Sequence, residues 1–197
     1  MKTIELLCGD LTTGATNTLF EKTEEGENTV KLLTGSSLNL NGEIIEEQLT
    51  TIRIKEGKNI QRFQLHEGDV VLLAKGNSIR SAYVTAKVAN FNVVASANFI
   101  LLRPNKDALV GEVLVAYLNS TSGQNKLNAI STGAAIHNVS LSNLKKLEIE
   151  LPALDKQHEI SELFHASNQA YQSTIELAVQ QKKVANACIN KLMKGAA

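Results

Sequence analysis

The sequence of 197 residues has no tryptophan, only two prolines, two cysteines and 4% aromatic residues. Cys8 and Cys188 stand near opposite ends, so they cannot make the closely spaced disulfide framework of a small secreted fold and fit a reducing compartment. With aromatics scarce, any core must be Leu, Ile, Val and Ala, and a hydrophobic content of 43% suffices for one. Charge of one sign is also missing: 20 Lys and Arg balance 20 Asp and Glu. A protein that coats nucleic acid draws most of its affinity from phosphate neutralisation and would be basic. Balanced charge still permits a module that reads bases while a partner holds the phosphates. No apolar run is long enough for a bilayer, and MKTIELLCGDL is too short before Asp10 for a signal peptide. The expectation is a cytoplasmic protein without membrane contact.

Catalytic motifs are absent too. There is no GxGxxG, no GxxxxGK[ST], no GxSxG elbow and no CxxC. Of the four histidines, His158 and His165 are seven apart, too far for two metal ligands one helical turn apart, and they read as solvated. Glu56 and Lys58 resemble half of a metal-dependent nuclease site, but between Asp10 and Glu56 there is no Asp to complete it, and a charged turn explains IKEGKN. The Asn/Asp-Pro-Pro-aromatic motif of amino-methyltransferases is impossible with Pro104 and Pro152 alone. We expect no catalysis, no cofactor and no metal.

What is present reads as short strands and turns with a few helices. KLLTGSSLNLNGEII and TTIRIKEGKNIQRF are β-prone runs punctuated by Gly35, Asn41–Gly42 and Gly57. Asn-Gly suits a two-residue hairpin turn. After a turn at Gly68–Asp69, the run VVLLA (70–74) is the pattern of a buried strand, ended by Gly76–Asn77. NFNVVASANFILLRP predicts two further strands. Asp107 is the expected N-cap of a helix whose apolar face is Leu109, Val110, Val113, Leu114, Tyr117 and Leu118. STSGQNKLNAISTGAAIHN reads as a polar connection, and NVSLSNLKKLEIELP as a short helix or turn and a last strand.

From about Asp155 to Lys194 there is neither proline nor glycine. Leu163, Ala170, Leu177 and Val184 recur every seven residues, beside a second row of Phe164, Tyr171, Ala178, Ala185 and Leu192. This predicts a helix about 60 Å long at 1.5 Å per residue, with an apolar stripe that needs a partner. Ser167, Thr174 and Gln181 share the stripe and could set its register. A helix folded back on its own domain is the plainer alternative, but a domain of this size is only about 35–40 Å across. The fold class expected is α+β: a mixed-sheet domain over residues 1–152 and a long coiled-coil helix over 153–197.

Taken together, these segments resemble the specificity subunits of bacterial type I restriction–modification systems. The resemblance is carried by QLHEGDVVLLAKGNSI, by VLVAYLNSTSGQNKL, by STGAAIHNVSLSNLKKLEIELPALDKQHEI and, upstream, by KLLTGSSLNLNGEI. It spans most of the chain from about Lys31, and the order of the pieces is more specific than any one of them. It implies a DNA target recognition domain followed by a spacer helix, with no catalysis of its own. Family members usually carry two such units, each reading half of a split target, whereas this chain carries one. A homodimer through the helix, or pairing with another half-subunit, would restore the pair. Duplex DNA, a methyltransferase subunit and, where the system also cleaves, a restriction subunit are the implied partners, with S-adenosylmethionine and ATP belonging to them. The rival reading is a coiled-coil adaptor that binds protein instead of DNA.

If the domain reads DNA, loops should carry the contacts. Lys75, Asn77, Ser78 and Arg80 follow the buried strand, where Lys or Arg suits guanine and Asn suits adenine. A second cluster holds Thr34, Ser36, Ser37, Asn39 and Asn41, equally suited to turn formation. A third is Ser131, Thr132, Gly133, His137 and Asn138. For the helix interface the candidates are Leu163, Phe164, Ala170, Tyr171, Leu177, Val184 and Leu192.

Overall fold

A computed structural model describes residues 1–21, 27–39, 41–133 and 136–195. Leu40, Ala134 and Ala135, within the candidate loops, and the last two residues of the expected helical domain lie outside them.

The chain opens with β1 (Lys2–Thr3), α1 (Ile4–Leu7) and β2 (Cys8–Thr13), followed by β3 (Thr29–Leu33) and β4 (Thr50–Arg53). Next come β5 (Val70–Leu73), β6 (Lys75–Gly76), β7 (Arg80–Tyr83), α2 (Ala86–Ala89), β8 (Val93–Ala95) and β9 (Phe99–Pro104). Two adjoining helices, α3 (Gly111–Asn119) and α4 (Thr121–Ile130), lead to β10 (Ser131–Thr132) and β11 (His137–Val139). The domain closes with α5 (Leu141–Lys145) and β12 (Glu148–Ile149), and α6 runs from Leu154 to Gly195.

The central sheet is antiparallel, in the order β2-β9-β5-β7. VVLL is continuously apolar because both faces of β5 are covered: Val70 and Leu72 face one cluster, Val71 and Leu73 another. On β9, Ile100 and Leu102 alternate in the same way with Phe99 and Leu101. One face is roofed by α1, α3, α4 and α5, through Leu7, Leu114, Leu118, Leu127 and Leu144. The other packs on the sheet β4-β3-β8, whose far side carries a third cluster around Phe20, Val30, Ile54 and Phe63. β1 pairs with β12, tying the start of the chain to the end of the domain.

Two expectations change. The α3 helix begins at Gly111 with Val110 as N-cap, and Asp107 lies in the preceding turn. The cap is supplied from elsewhere: the Val110 N–H donates to Oε1 of Gln157 at 3.0 Å. STSGQNKLNAI, read as a polar connection, is the helix α4. Ser120 caps it by accepting from Gly123 N–H, and buried Leu127 anchors its inner side. A single deeply buried leucine is too weak a periodic signal to find in sequence.

As expected, α6 is one continuous helix of 42 residues. Its first turns rest on the domain: Gln157 is buried, Phe164 packs against the α3 cluster and Asn168 Nδ2 donates to Asn41 O. From Gln169 to Gly195 every residue is exposed, so most of the helix stands clear. Among the described residues no helix is long and apolar enough to cross a membrane.

Candidate nucleic-acid interface

Polar segments far apart in sequence meet at one end of the central sheet. β5 and β7 run antiparallel with Leu73 opposite Arg80, and the chain between them supplies β6. This short strand pairs with β11, which pairs with β10, giving the small sheet β10-β11-β6. The expected first and third clusters are therefore neighbours. Across the strands Lys75 stands opposite Asn138, and Asn138 opposite Thr132. Directly opposed residues share a face, so Lys75, Asn138 and Thr132 form one cross-strand row. His137, opposite Gly76, falls on the other face.

Local bonds hold this row. Asn138 N–H donates to Ser131 Oγ at 3.0 Å, Thr132 Oγ1–H to Asn138 O at 3.2 Å, and Val139 N–H to Ala74 O at 2.9 Å. The β10–β11 turn needs Gly133, which has φ +94° and whose added Cβ would come 2.4 Å from Ile136 O. Lys75, Asn77 and Ser78 are exposed, and Ile136 beside them is 63% exposed.

The second cluster approaches the same end, but several of its members are structural. The Arg80 guanidinium donates to Leu38 O and to Gly35 O, both at 2.9 Å, while its Nε is buried without a partner. A side chain so engaged is a strut for the turn at residues 35–38 and is not free to reach bases. Ser37 is fully buried and donates to Gln48 O at 2.9 Å. Asn39 Oδ1 accepts from the N–H groups of Asn41 and Glu43, and its Nδ2 donates to Glu43. Ser36 alone of the three is exposed. Arg80, Ser37 and Asn39 thus shape the loop, whereas Ser36, Lys75, Asn77, Ser78, Thr132 and Asn138 are presented around it.

On the helix, Leu163, Tyr171, Leu177, Val184 and Leu192 are 53–73% exposed, and Ala170 is exposed with them. Phe164 differs: it is partly buried against the chain's own core, near Gly42. Its place in the heptad row therefore marks where the stripe crosses onto the domain. His165, read as solvated, has Nε2 3.0 Å from Glu112 Oε1 and a T-shaped contact with Tyr83. Beside Glu112 and under burial, the Tyr83 phenol is pushed up to about 12, with burial the larger cause.

Sequence reasoning missed the residues that fasten these parts. Asn119 brackets Ser81, accepting from its N–H at 2.9 Å and donating to its O at 2.9 Å, which ties α3 to β7. Arg103 spans Asp10 at 2.9 Å and buried Asp69 at 3.6 Å. These pairs lie tens of residues apart, and nothing local announces them. Glu56 and Lys58 are exposed in a turn around Gly57, and among the described residues no group of three or more His, Cys, Asp or Glu is placed to hold a metal.

Solved structures share this architecture. The S subunit of a type I restriction–modification system from M. genitalium matches with a TM-score of 0.54 and 20% identity, over 87% of this chain and 39% of that one. A chain from a structure of complex assembly and conformational transition in the type I R-M system matches with a TM-score of 0.64 and 18% identity, over 92% and 45%. The HsdS subunit from Thermoanaerobacter tengcongensis matches with a TM-score of 0.59 and 16% identity, again over 92% and 45%. The chain thus spans less than half the length of these structures. No curated protein matches it. The family model described as type I restriction modification DNA specificity domain matches residues 8–184, nearly the whole chain. This protein belongs to the type I restriction–modification DNA specificity family.

Proposed function

We propose that the chain is a DNA-targeting specificity unit that directs a restriction–modification methyltransferase to a split target. Residues 1–152 are the recognition domain in this reading, and residues 153–197 the spacer and dimerisation helix. The observation that carries it is the cross-strand row Lys75–Asn138–Thr132, with Asn77, Ser78 and Ser36 around it. Lysine offers a cation to guanine or phosphate, and asparagine both a donor and an acceptor to adenine. Ser37, Asn39 and Arg80 act behind the row by fixing the loop. Ser131 holds the strand, and His137 contacts the duplex only if it enters from the opposite face.

The exposed stripe of α6 pairs with the same stripe of a second unit, antiparallel. Two recognition domains are then held apart by the free part of α6, about 40 Å of helix from Gln169 to Gly195, and the site read is two half-sites with a gap. A homodimer reads an interrupted palindrome, because protein two-fold symmetry is mirrored in the site. Cleavage and methyl transfer belong to the partner subunits.

Affinity capture of the tagged full-length chain from its native cells, followed by mass spectrometry, tests this reading. A DNA methyltransferase in stoichiometric yield is expected. Recovery of the chain alone, or with proteins unrelated to DNA, overturns it.

A further inference from the structure

A large apolar side chain stands exposed among the polar ones at the end of the central sheet. Ile136 is 63% exposed, one residue before β11. Carried on by one residue, the register that sets His137 against Gly76 puts Ile136 opposite Asn77. Single exposed apolar residues are ordinary on protein surfaces, and Leu6 and Phe91 are others on this domain. The hairpin around Ile136 is what differs. Its connection reads Gly133-Ala134-Ala135-Ile136, four residues without a side-chain donor or acceptor, where turns favour Asn, Asp and Ser beside Gly. Gly133 closes so tightly on the Ile136 carbonyl that a Cβ would come 2.4 Å from its oxygen, which fixes where Ile136 leaves the turn.

Thr132 adds to this. Its hydroxyl donates to Asn138 O at 3.2 Å and accepts from Asn138 Nδ2 at 3.5 Å, so its polar group is engaged inside the hairpin. What Thr132 has left for a ligand is a methyl group. The two sides of the small sheet therefore differ in chemistry. β6 and the turn after it bring Lys75, Asn77 and Ser78, which hydrogen-bond. The β10–β11 hairpin brings the Thr132 methyl and Ile136, which do not.

In the major groove only one base edge carries an apolar group, the 5-methyl of thymine. Ile136 set on the amino group of adenine or cytosine, or on O6 or N7 of guanine, strips water from it and returns no bond. Set on a thymine methyl, it takes two apolar surfaces out of water at once. We propose that Ile136, together with the Thr132 methyl, recognises the 5-methyl group of a thymine in the major groove of the half-site. The β6 side then reads neighbouring base edges by hydrogen bonds, while the hairpin selects an A·T pair from its thymine side. This inference rests on the DNA reading proposed above.

Duplexes selected from a randomised pool by the full-length chain bound to its methyltransferase give the sequence read. Each thymine of that sequence is then replaced in turn by deoxyuridine, which removes the 5-methyl group and leaves the pairing intact. At one position of the half-site, uracil should weaken binding about fourfold, the worth of one methyl group taken out of water. Ile136→Ala should bind the thymine and uracil duplexes alike at that position, with an unchanged thermal midpoint, and Ile136→Val should keep the preference. A selected half-site without an A·T pair, or wild-type binding indifferent to every uracil, overturns the inference and leaves the DNA reading standing. So does an Ile136→Ala variant that keeps the full thymine preference. A pool that yields no enriched sequence removes both.

Discussion

The N–H of Val110 donates to Oε1 of Gln157, 3.0 Å away and 47 residues later in the chain. Gln157 Nε2 donates in turn to Pro152 O at 3.0 Å and Ala108 O at 3.3 Å. One buried amide thus caps α3 and seats the first turn of α6, so α6 leaves the domain in a set direction.

Replacing Gln157 with alanine should cost about 1–3 kcal/mol, because a buried N–H and two carbonyls lose their partner together. Urea unfolding of the Gln157→Ala variant measures this. A loss under about 0.5 kcal/mol, the usual scatter for surface changes, would contradict the role assigned to the side chain.

Arg80 and Lys75 should separate cleanly. Arg80→Ala removes two bonds to Gly35 O and Leu38 O, and a charged donor of this kind is worth about 1.5–3 kcal/mol per bond. Its thermal midpoint should fall, and DNA binding should weaken only as the loop loosens. Lys75→Ala should leave the midpoint unchanged while lowering duplex affinity, and the slope of log K against log salt should fall by about 0.9 if the ammonium meets a phosphate.

If α6 pairs as proposed, Leu177→Asp should convert the dimer to a monomer by light scattering without altering the domain's thermal unfolding. Phe164→Ala should do the reverse, losing about 3 kcal/mol or somewhat less from the domain, since the ring is only partly buried. The thiols give an independent readout. Cys8 is buried and its thiol is pushed up to about 12, so it should stay unlabelled until unfolding. Cys188 continues the line of Ser167, Thr174 and Gln181 and should react faster in the Leu177→Asp monomer than in the paired protein. Equal rates would argue against a seam through this face.

Tyr83 carries a pH signature. Its folded value of about 12 lies above the ordinary 10, through burial and the Glu112 and Glu67 carboxylates. A raised folded value means that its contribution to stability is whole below pH 10 and is lost as pH climbs through 12. Absorbance titration should show one phenol ionising near pH 12, or only with unfolding, and Tyr83→Phe should abolish that step. A Tyr83 phenol that ionises at pH 10 in the folded protein contradicts the buried, carboxylate-flanked environment.

The sequence by itself determined the elements whose signal is local and periodic. VVLL had to be covered on both faces, and it is. The 40 residues from Asp155 to Lys194, without glycine or proline and apolar every seventh, had to be a long helix, and α6 runs one residue past each end of that stretch. What only the tertiary structure decided are the meetings between distant segments. Lys75 and Asn138 became opposed members of one small sheet, while Arg80, Ser37 and Asn39, of the same polar kinds, turned inward to hold a loop. Phe164 kept its heptad spacing yet went to its own core, because α3 and Gly42 lie beside it at the base of α6. Periodicity states which side of an element is apolar. Which side chain finds a carbonyl forty residues away depends on how the layers stack, and that information is spread over the whole chain.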